Sequence, residues 1–353
     1  MTIRRSMASL RLRLRLRLLA AGLLVASLPW QAALAAPADQ AGFEFAVLGH
    51  SFNAGPDDGP LKKAIAETST FNASFVVATG IKAASESCSD KLYSQRKEVL
   101  DASGPPLIVS LSASDWANCR NSRGRVNAIE RLNRLRDVYF ADDQSLGQRK
   151  LTLSRLSSTA KFRSYAENAH WEYGGVLFAT VNLPANNNHF LPEAGRNSEF
   201  EDRLVANRSW LQRLFAMAQR KQLDGIVLFS DGDVGVLDEE DNSLLPSFSS
   251  KQDGFAGPRK QIRTLAKKFS GKVLLVDTQR AGDADGKEGK SKKAAARAGG
   301  PKISWKGNLG HVSIDNDWSA IAVRPGKTPF FEVRQRAVRP SAQARAKAST
   351  VRR

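Results

Sequence analysis

Short apolar segments recur along the chain, and polar or glycine residues follow each of them at once. Apolar runs of this length, rich in β-branched residues and bounded by turn residues, are typical of strands buried on both faces. They predict strands over residues 43–48, 75–77, 107–111, 225–229 and 273–276, with later strands at 312–314, 318–323 and 330–333.

Between these segments, apolar residues recur at a spacing of three or four positions, which predicts amphipathic helices. The helices are expected over residues 59–68, 90–102, 126–140, 201–220 and 258–269. Strands that alternate with helices indicate an α/β architecture. A chain of 353 residues is long enough for one large domain or two small ones.

Motifs at the predicted strand ends carry a family resemblance. Gly49-His50 follows the first strand, Gly80-Ile81-Lys82 the second, Ser112-Ala113-Ser114-Asp115-Trp116 the third, and Asp277-Thr278 ends a later one. Turns around Cys88 and Cys119, a Trp-Glu-x-Gly-Gly-Val strand over residues 171–182, and the Asn-rich run 186–189 add to the series. In this order the motifs resemble the bacterial secreted branch of the calcineurin-like metallophosphoesterases.

The resemblance implies a four-layer αββα sandwich over residues 42–333, in which two mixed sheets are flanked by helices. It also implies a two-metal phosphoesterase centre, but the ligand residues are mostly replaced. His50 stands where the family has an Asp, the bridging Asp is missing beside Gly80, and Ser114 stands in the place of an Asn. In the last motif Asp277 replaces a ligand of the family, and the lysine-rich stretch that follows contains no His.

We therefore predict that the fold is retained without the dinuclear centre, and that the protein is a non-catalytic binding or scaffolding protein with no cofactor. One lost ligand can be compensated, whereas the loss of a whole ligand shell is hard to reconcile with hydrolysis. The alternative is a divergent phosphoesterase, acting on phosphomonoesters or phosphodiesters with one divalent ion, Mn, Zn or Fe.

The candidate site residues follow from the same motifs. The vestigial cleft is expected to contain His50, Ser114, Asp115 and Asp277, and Asp115 is interpreted as an orienting or capping carboxylate. In the alternative reading the metal ligands are His50, Asp115, Asp231 and Asp277. Candidates for binding an anionic ligand are Lys82, Arg120, Asn186 and His189.

Two further histidines are expected to lie outside the metal site. His170 begins a predicted strand and is interpreted as structural, and the resemblance implies a turn rather than a metal ligand at His311. Asp231-Gly232-Asp233 resembles a calcium loop, but Gly235 stands where an EF-hand requires an oxygen ligand.

The first 35 residues have the pattern of an export signal. A basic segment with six Arg precedes the apolar run 18–28, and Ala33-Leu34-Ala35 fits a cleavage site. We expect a periplasmic or secreted protein with no stable membrane span after cleavage. In an oxidising compartment a disulfide between Cys88 and Cys119 is favoured over two buried thiols.

The net charge of +18 is concentrated in three segments. Besides the leader, residues 287–302 carry six basic residues and one acidic residue, and residues 334–353 carry seven basic residues. The rest of the chain is balanced, so a disordered insertion over 281–302 and a disordered tail over 334–353 are predicted. No aromatic residues interleave with these charges, which argues against a specific nucleic-acid site. The expected partner is a protein or an anionic envelope ligand.

Overall fold

The computed structural model describes residues 41–49, 51–52, 55–193, 195, 197–239, 252–278, 300–315 and 317–334. The predicted export signal, His50, nearly all of the predicted insertion and the tail after residue 334 lie outside the described residues.

Strands alternate with helices in both halves of the described chain. The strands are β1 Phe43–Leu48, β2 Val76–Thr79, β3 Leu107–Ser110, β4 Ser154–Arg155, β5 Ala169–Tyr173, β6 Val176–Thr180, β7 Gly225–Phe229, β8 Lys272–Asp277, β9 Ser304–Lys306, β10 Leu309–Ser313, β11 Ser319–Val323 and β12 Phe331–Arg334. The helices are α1 Gly59–Phe71, α2 Asp90–Asp101, α3 Ala113–Trp116, α4 Ala128–Tyr139, α5 Ala185–Asn188, α6 Ser198–Arg220 and α7 Ala256–Lys268.

The described strands form two mixed sheets. The five-stranded sheet has the order β12-β11-β1-β2-β3, and β1, β2 and β3 run parallel. The seven-stranded sheet has the order β4-β5-β6-β7-β8-β10-β9, and its strands β6, β7, β8 and β10 run parallel. Parallel strands bring their carboxyl ends to one edge of a sheet, which is where ligands bind in open α/β sheets.

The two sheets pack face to face through an aromatic core. Side chains alternate along a strand, so Phe45 and Val47 of β1 point to the space between the sheets, while Ala46 and Leu48 point the other way. The Phe45 ring stacks on Phe75 at 5.2 Å and meets the edge of Phe178, from the opposite sheet, also at 5.2 Å. Aromatic pairs in these geometries add to the free energy gained from burial alone.

Helices cover the outer face of each sheet. Apolar residues of α1, α2 and α4 pack on the five-stranded sheet, and those of α6 and α7 pack on the seven-stranded sheet. In α6, Trp210 is fully buried and its indole Nε1 donates to Thr180 O at 3.1 Å. The predicted αββα sandwich with two mixed sheets is thereby confirmed.

One predicted element is wrong in its boundaries. Residues 171–182 were expected to form one strand, but the structure has a hairpin there, in which β5 and β6 pair antiparallel. Gly174 and Gly175 both have positive φ, 52° and 75°, which is the backbone of a two-residue hairpin turn. The Gly-Gly pair is therefore the turn itself.

The disulfide predicted between Cys88 and Cys119 is present, with the two Cα atoms 5.8 Å apart. It joins the loop before α2 to the loop after α3 and closes a segment with a sequence separation of 31. In the chain-entropy treatment a loop of this size stabilises the folded state by about 3–4 kcal/mol. It thus restrains the two loops that follow β2 and β3.

None of the helices in the described part of the chain combines the length and the apolar composition that crossing a bilayer requires.

Candidate active site at the strand ends

Loops from both sheets meet at the carboxyl edge of the parallel strands. Asp231 follows β7 of the seven-stranded sheet, and its Oδ2 accepts a hydrogen bond from the backbone N–H of Ala113, which follows β3 of the other sheet, at 2.7 Å. The same oxygen accepts from the N–H of Ala185, after β6, at 2.7 Å. We call Asp115, Asp231, Asp233, Asp277 and His311 the strand-end site.

Asp115 is fully buried and ties the loop after β2 to the start of α3. Its Oδ1 accepts from Ile81 N at 2.9 Å, and its Oδ2 accepts from Ser112 N at 2.8 Å, which is the capping role predicted from the sequence. Burial raises the pKa of Asp115 to about 6, against the lowering effect of the two N–H donors and of Lys82. Both carboxylate oxygens are already engaged by the backbone.

The two serines of the third motif hydrogen-bond to each other. Ser112 Oγ and Ser114 Oγ lie 2.8 Å apart, and the Ser114 hydroxyl donates to Lys82 O at 3.2 Å. The position where the resemblance expects an Asn ligand therefore holds a short hydroxyl group that contacts neighbouring protein atoms.

The two basic residues predicted to bind an anionic ligand, Lys82 and Arg120, donate to nearby backbone carbonyls. Lys82 is buried, and its Nζ donates to Ala83 O at 2.7 Å and to Ser114 O at 2.8 Å. Burial lowers the pKa of Lys82, and the charge of Asp115 partly offsets that effect. Arg120 is exposed, and its guanidinium donates to Gly124 O at 2.9 Å within its own turn. The anion-binding role predicted for these two residues finds no support in their contacts.

Asp231 is a buried carboxylate with an asymmetric environment. Both of its hydrogen bonds go to Oδ2, and no residue in the described ranges donates to Oδ1. The pKa of Asp231 is raised to about 7, mainly by burial and also by the negative charges of Asp115 and Asp277, against the lowering effect of the two N–H donors. Three buried carboxyl groups therefore lie close enough to influence one another.

Asp233, Asp277 and His311 form the Asp-Asp-His cluster at the edge of the seven-stranded sheet. One ligand atom from each residue can be chosen so that all three lie within 4.8 Å of one another. His311 Nε2 contacts Asp277 Oδ2 directly and lies 3.5 Å from Asp233 Oδ1. Burial raises the pKa of Asp277, opposed by its bond to His311, and that carboxylate raises the pKa of His311 despite burial of the ring.

The cluster differs from the ligand set predicted from the sequence. Of the predicted ligands His50, Asp115, Asp231 and Asp277, only Asp277 belongs to it, and His50 lies outside the described residues. His311 was expected in a turn, but it lies in β10, which pairs in parallel with β8 and so reaches Asp277. The apolar residues around His311 were the sequence signal for a strand at this position. The register of that strand with β8 depends on the tertiary structure.

The residues described do not fit a dinuclear metal centre. Two ions about 3.5–4 Å apart need several anionic or imidazole ligands between them. The described ranges contain one group of three converging ligands, and the oxygens of Asp115 are hydrogen-bonded to the backbone. The strand-end site offers the donor set of one ion rather than two.

Residues 186–189, Asn-Asn-Asn-His, form a left-handed turn beside the strand-end site. Their φ angles are 64°, 56°, 54° and 50°. Left-handed backbone costs an L-residue roughly 1–2 kcal/mol, and Asn tolerates it better than most. Four such residues in a row persist only where the surroundings hold them, and such strain concentrates at functional sites.

The surroundings of the turn supply those restraints. Gly254 N donates to Asn187 Oδ1 at 2.8 Å, Asn188 Nδ2 donates to Gly254 O at 2.9 Å, and Arg203 Nη2 donates to Asn188 O at 2.9 Å. A Cβ on Gly254 would lie 2.2 Å from Asn187 O, so only glycine permits this approach. Two of the predicted ligand-binding residues lie in this turn. Asn186 is exposed, whereas His189 is buried.

His170 and His189 both pack against tryptophan rings. The His189 ring meets the edge of Trp116 at 4.8 Å, and burial lowers its pKa. The His170 ring lies 5.4 Å from Trp210, and burial lowers its pKa to about 4. Both residues are therefore favoured in the neutral form, and the structural interpretation of His170 fits its position in β5.

Comparison with known proteins gives a weak structural similarity. No family model matches the chain, and no curated protein matches it. Among solved structures the chain is similar to a dimetal phosphatase from Danio rerio, with 9% sequence identity and a TM-score of 0.42, over 79% of this chain and 92% of that one.

The left-handed turn generates a prediction at its exposed position. Asn186→Ala should lower the free energy of unfolding by about 1 kcal/mol, since alanine cannot relieve a φ of 64° with local hydrogen bonds. Asn186→Gly should leave it unchanged or raise it, because glycine adopts this backbone freely. Urea unfolding of both variants measures the difference, and equal stabilities would show that the turn is not strained at this residue.

A second prediction concerns the buried carboxyl of Asp231. Because its folded-state pKa is raised to about 7, the folded protein keeps this proton between about pH 4 and pH 7 while the unfolded chain loses it. This group therefore makes the protein less stable as pH rises through that window. Asp231→Asn keeps an oxygen that can accept from Ala113 and Ala185, and removes the charge.

The free energy of unfolding of Asp231→Asn minus that of the parent protein should be larger at pH 8 than at pH 4 by about 1–3 kcal/mol. Urea unfolding at both pH values gives this difference, in which pH-independent effects of the new amide cancel. The buried His170 has a lowered pKa and makes stability rise with pH. This contribution is common to both proteins and cancels too. A difference that does not change with pH would contradict the raised pKa.

Proposed function

We propose that the protein is exported and acts as a non-catalytic binding or scaffolding protein, which keeps a metallophosphoesterase-like fold without a dinuclear centre. The observation that carries this proposal is the use of the strand-end carboxylates. Asp115 and Asp231 together accept hydrogen bonds from four backbone N–H groups. Those bonds hold loops together, which is a structural role.

Recruiting these carboxylates as metal ligands would disturb the loops. A buried N–H group that loses its acceptor costs about 1–3 kcal/mol. The N–H groups of Ile81 and Ser112 depend on Asp115, and those of Ala113 and Ala185 depend on Asp231. A second metal ion would therefore have to compete with the contacts that build the site.

The surface suited to an anionic partner lies on α7. This helix contains five basic residues and no acidic residue, and its buried face is formed by Pro258, Ile262 and Ala266. Lys260, Lys267 and Lys268 are exposed. The strand-end site itself is acidic, so an anionic envelope polymer is better accommodated at α7, together with the basic segments 287–302 and 334–353.

Export is supported by the leader and by the disulfide. The first 35 residues carry the basic, apolar and small-residue pattern of a cleaved signal. A disulfide between Cys88 and Cys119 fits an oxidising compartment such as the periplasm or the extracellular space.

A second candidate function is a divergent, metal-dependent phosphoesterase. The Asp-Asp-His cluster favours it, because imidazole and carboxylate ligands with open coordination positions can activate water on a metal ion.

Hydrolysis assays separate the two functions. The purified mature protein should show no turnover of p-nitrophenyl phosphate or bis-p-nitrophenyl phosphate above the Asp277→Asn variant, with Mn²⁺ or Zn²⁺ added. The variant is the control for a contaminating phosphatase, whose activity it would not change. Turnover that exceeds the variant by tenfold or more would overturn the non-catalytic proposal.

Retention on an anionic resin tests the binding surface. Lys260→Glu/Lys267→Glu should elute from heparin at a clearly lower salt concentration than the parent protein, because it reverses exposed charges on α7. Lys63→Glu/Lys91→Glu makes the same change of net charge on α1 and α2 and is the matched control. Equal shifts for both pairs would contradict a surface on α7 and indicate an effect of net charge.

A further inference from the structure

The Asp-Asp-His cluster has the composition and spacing of a mononuclear metal site. We propose that Asp233, Asp277 and His311 bind one divalent transition-metal ion, with Zn²⁺ as the representative ion. This inference rests on the proposed function, in which the strand-end site is no longer a two-metal centre.

The three side chains come from neighbouring elements of one sheet. Asp277 is the last residue of β8, His311 lies in β10, which pairs with β8, and Asp233 follows β7 on the other side of β8. Ligands on adjacent strands are held by the sheet itself, so their separation is set before any ion binds.

The loop that carries Asp233 is braced from α7. Arg259 Nε donates to Val234 O at 2.7 Å, and Arg263 Nε donates to Val236 O at 2.8 Å. Gly235 N donates to Asp233 Oδ1 at 2.8 Å. Support of this kind fixes the orientation of a ligand beyond the ligand atom itself.

The observed separation fits ligands around a single ion. His311 Nε2 and Asp233 Oδ1 lie 3.5 Å apart. Two N or O ligands at roughly 2.1 Å from a tetrahedral Zn²⁺ lie about 3.4 Å from each other. Asp277 Oδ2 contacts His311 Nε2 directly, so an ion would replace that contact with two bonds to the metal.

Asp231 provides an independent observation. It is 3% exposed, and within the described ranges nothing donates to its Oδ1. Asp231 lies two residues before Asp233 in the loop that follows β7, so this oxygen belongs to the loop that carries one of the proposed ligands. An acceptor without a protein donor is available to a bound cation or to a water molecule.

The donor types select the class of ion. Imidazole suits Zn, Fe, Cu or Ni, whereas Ca²⁺ and Mg²⁺ take mainly oxygen ligands in larger numbers. Three protein ligands leave at least one coordination position open. The ion would therefore give an acidic site the ability to hold a small anionic or hydroxyl-bearing ligand.

The test uses the full mature chain after removal of metals with a chelator. Titration calorimetry with Zn²⁺ should give one site per chain, and Co²⁺ should give the visible absorption of a tetrahedral complex. His311→Ala and Asp233→Asn should each weaken Zn²⁺ binding by more than about 100-fold. Asp233 has a side chain that is 42% exposed, so its substitution does not threaten the fold.

Asp137→Asn is the matched control, since Asp137 is an exposed carboxylate on α4 and should not change the affinity. Absence of a saturable Zn²⁺ site, or unchanged affinity in Asp233→Asn, would overturn the metal site and leave the non-catalytic proposal standing. Zn²⁺ binding with ester turnover that disappears in Asp233→Asn would support the metal site and overturn the non-catalytic proposal. Binding without turnover supports both.

Discussion

A single buried carboxylate oxygen holds the two halves of the site together. Asp231 Oδ2 accepts from Ala113, after β3, and from Ala185, after β6, so it links loops that leave different sheets. The aromatic core packs the sheets face to face. At their carboxyl edge Asp231 links the loops, together with the contact between the Trp116 and His189 rings, and burial raises the pKa of Asp231.

An αββα sandwich does not require a catalytic centre at its strand ends, because fold and catalysis depend on different atoms. The sandwich is stabilised by apolar side chains between and outside the sheets, whereas catalysis by two metals depends on a few polar atoms at the strand ends. In this chain the polar residues that remain there, such as Asp115 and Ser114, hydrogen-bond to neighbouring protein atoms. These polar groups therefore contribute to the structure of the loops at the strand ends.

The left-handed turn and the Asp-Asp-His cluster lie at the same edge of the seven-stranded sheet. The turn is held by Gly254 and Arg203, and the cluster is held by β8, β10 and the arginines of α7. Strain in the backbone and like charges in a buried place both lower stability, and each persists because surrounding contacts outweigh it.

Hydrophobic periodicity alone located the strands and main helices, because burial on one or two faces leaves a local pattern that can be read along the chain. The family resemblance predicted the capping role of Asp115, and the two cysteines together with the export leader predicted the pairing of Cys88 with Cys119. The same resemblance missed the hairpin at Gly174 and implied a turn at His311. Which strands pair, and in which register, depends on contacts between residues far apart in sequence, so only the tertiary structure could bring His311 beside Asp277.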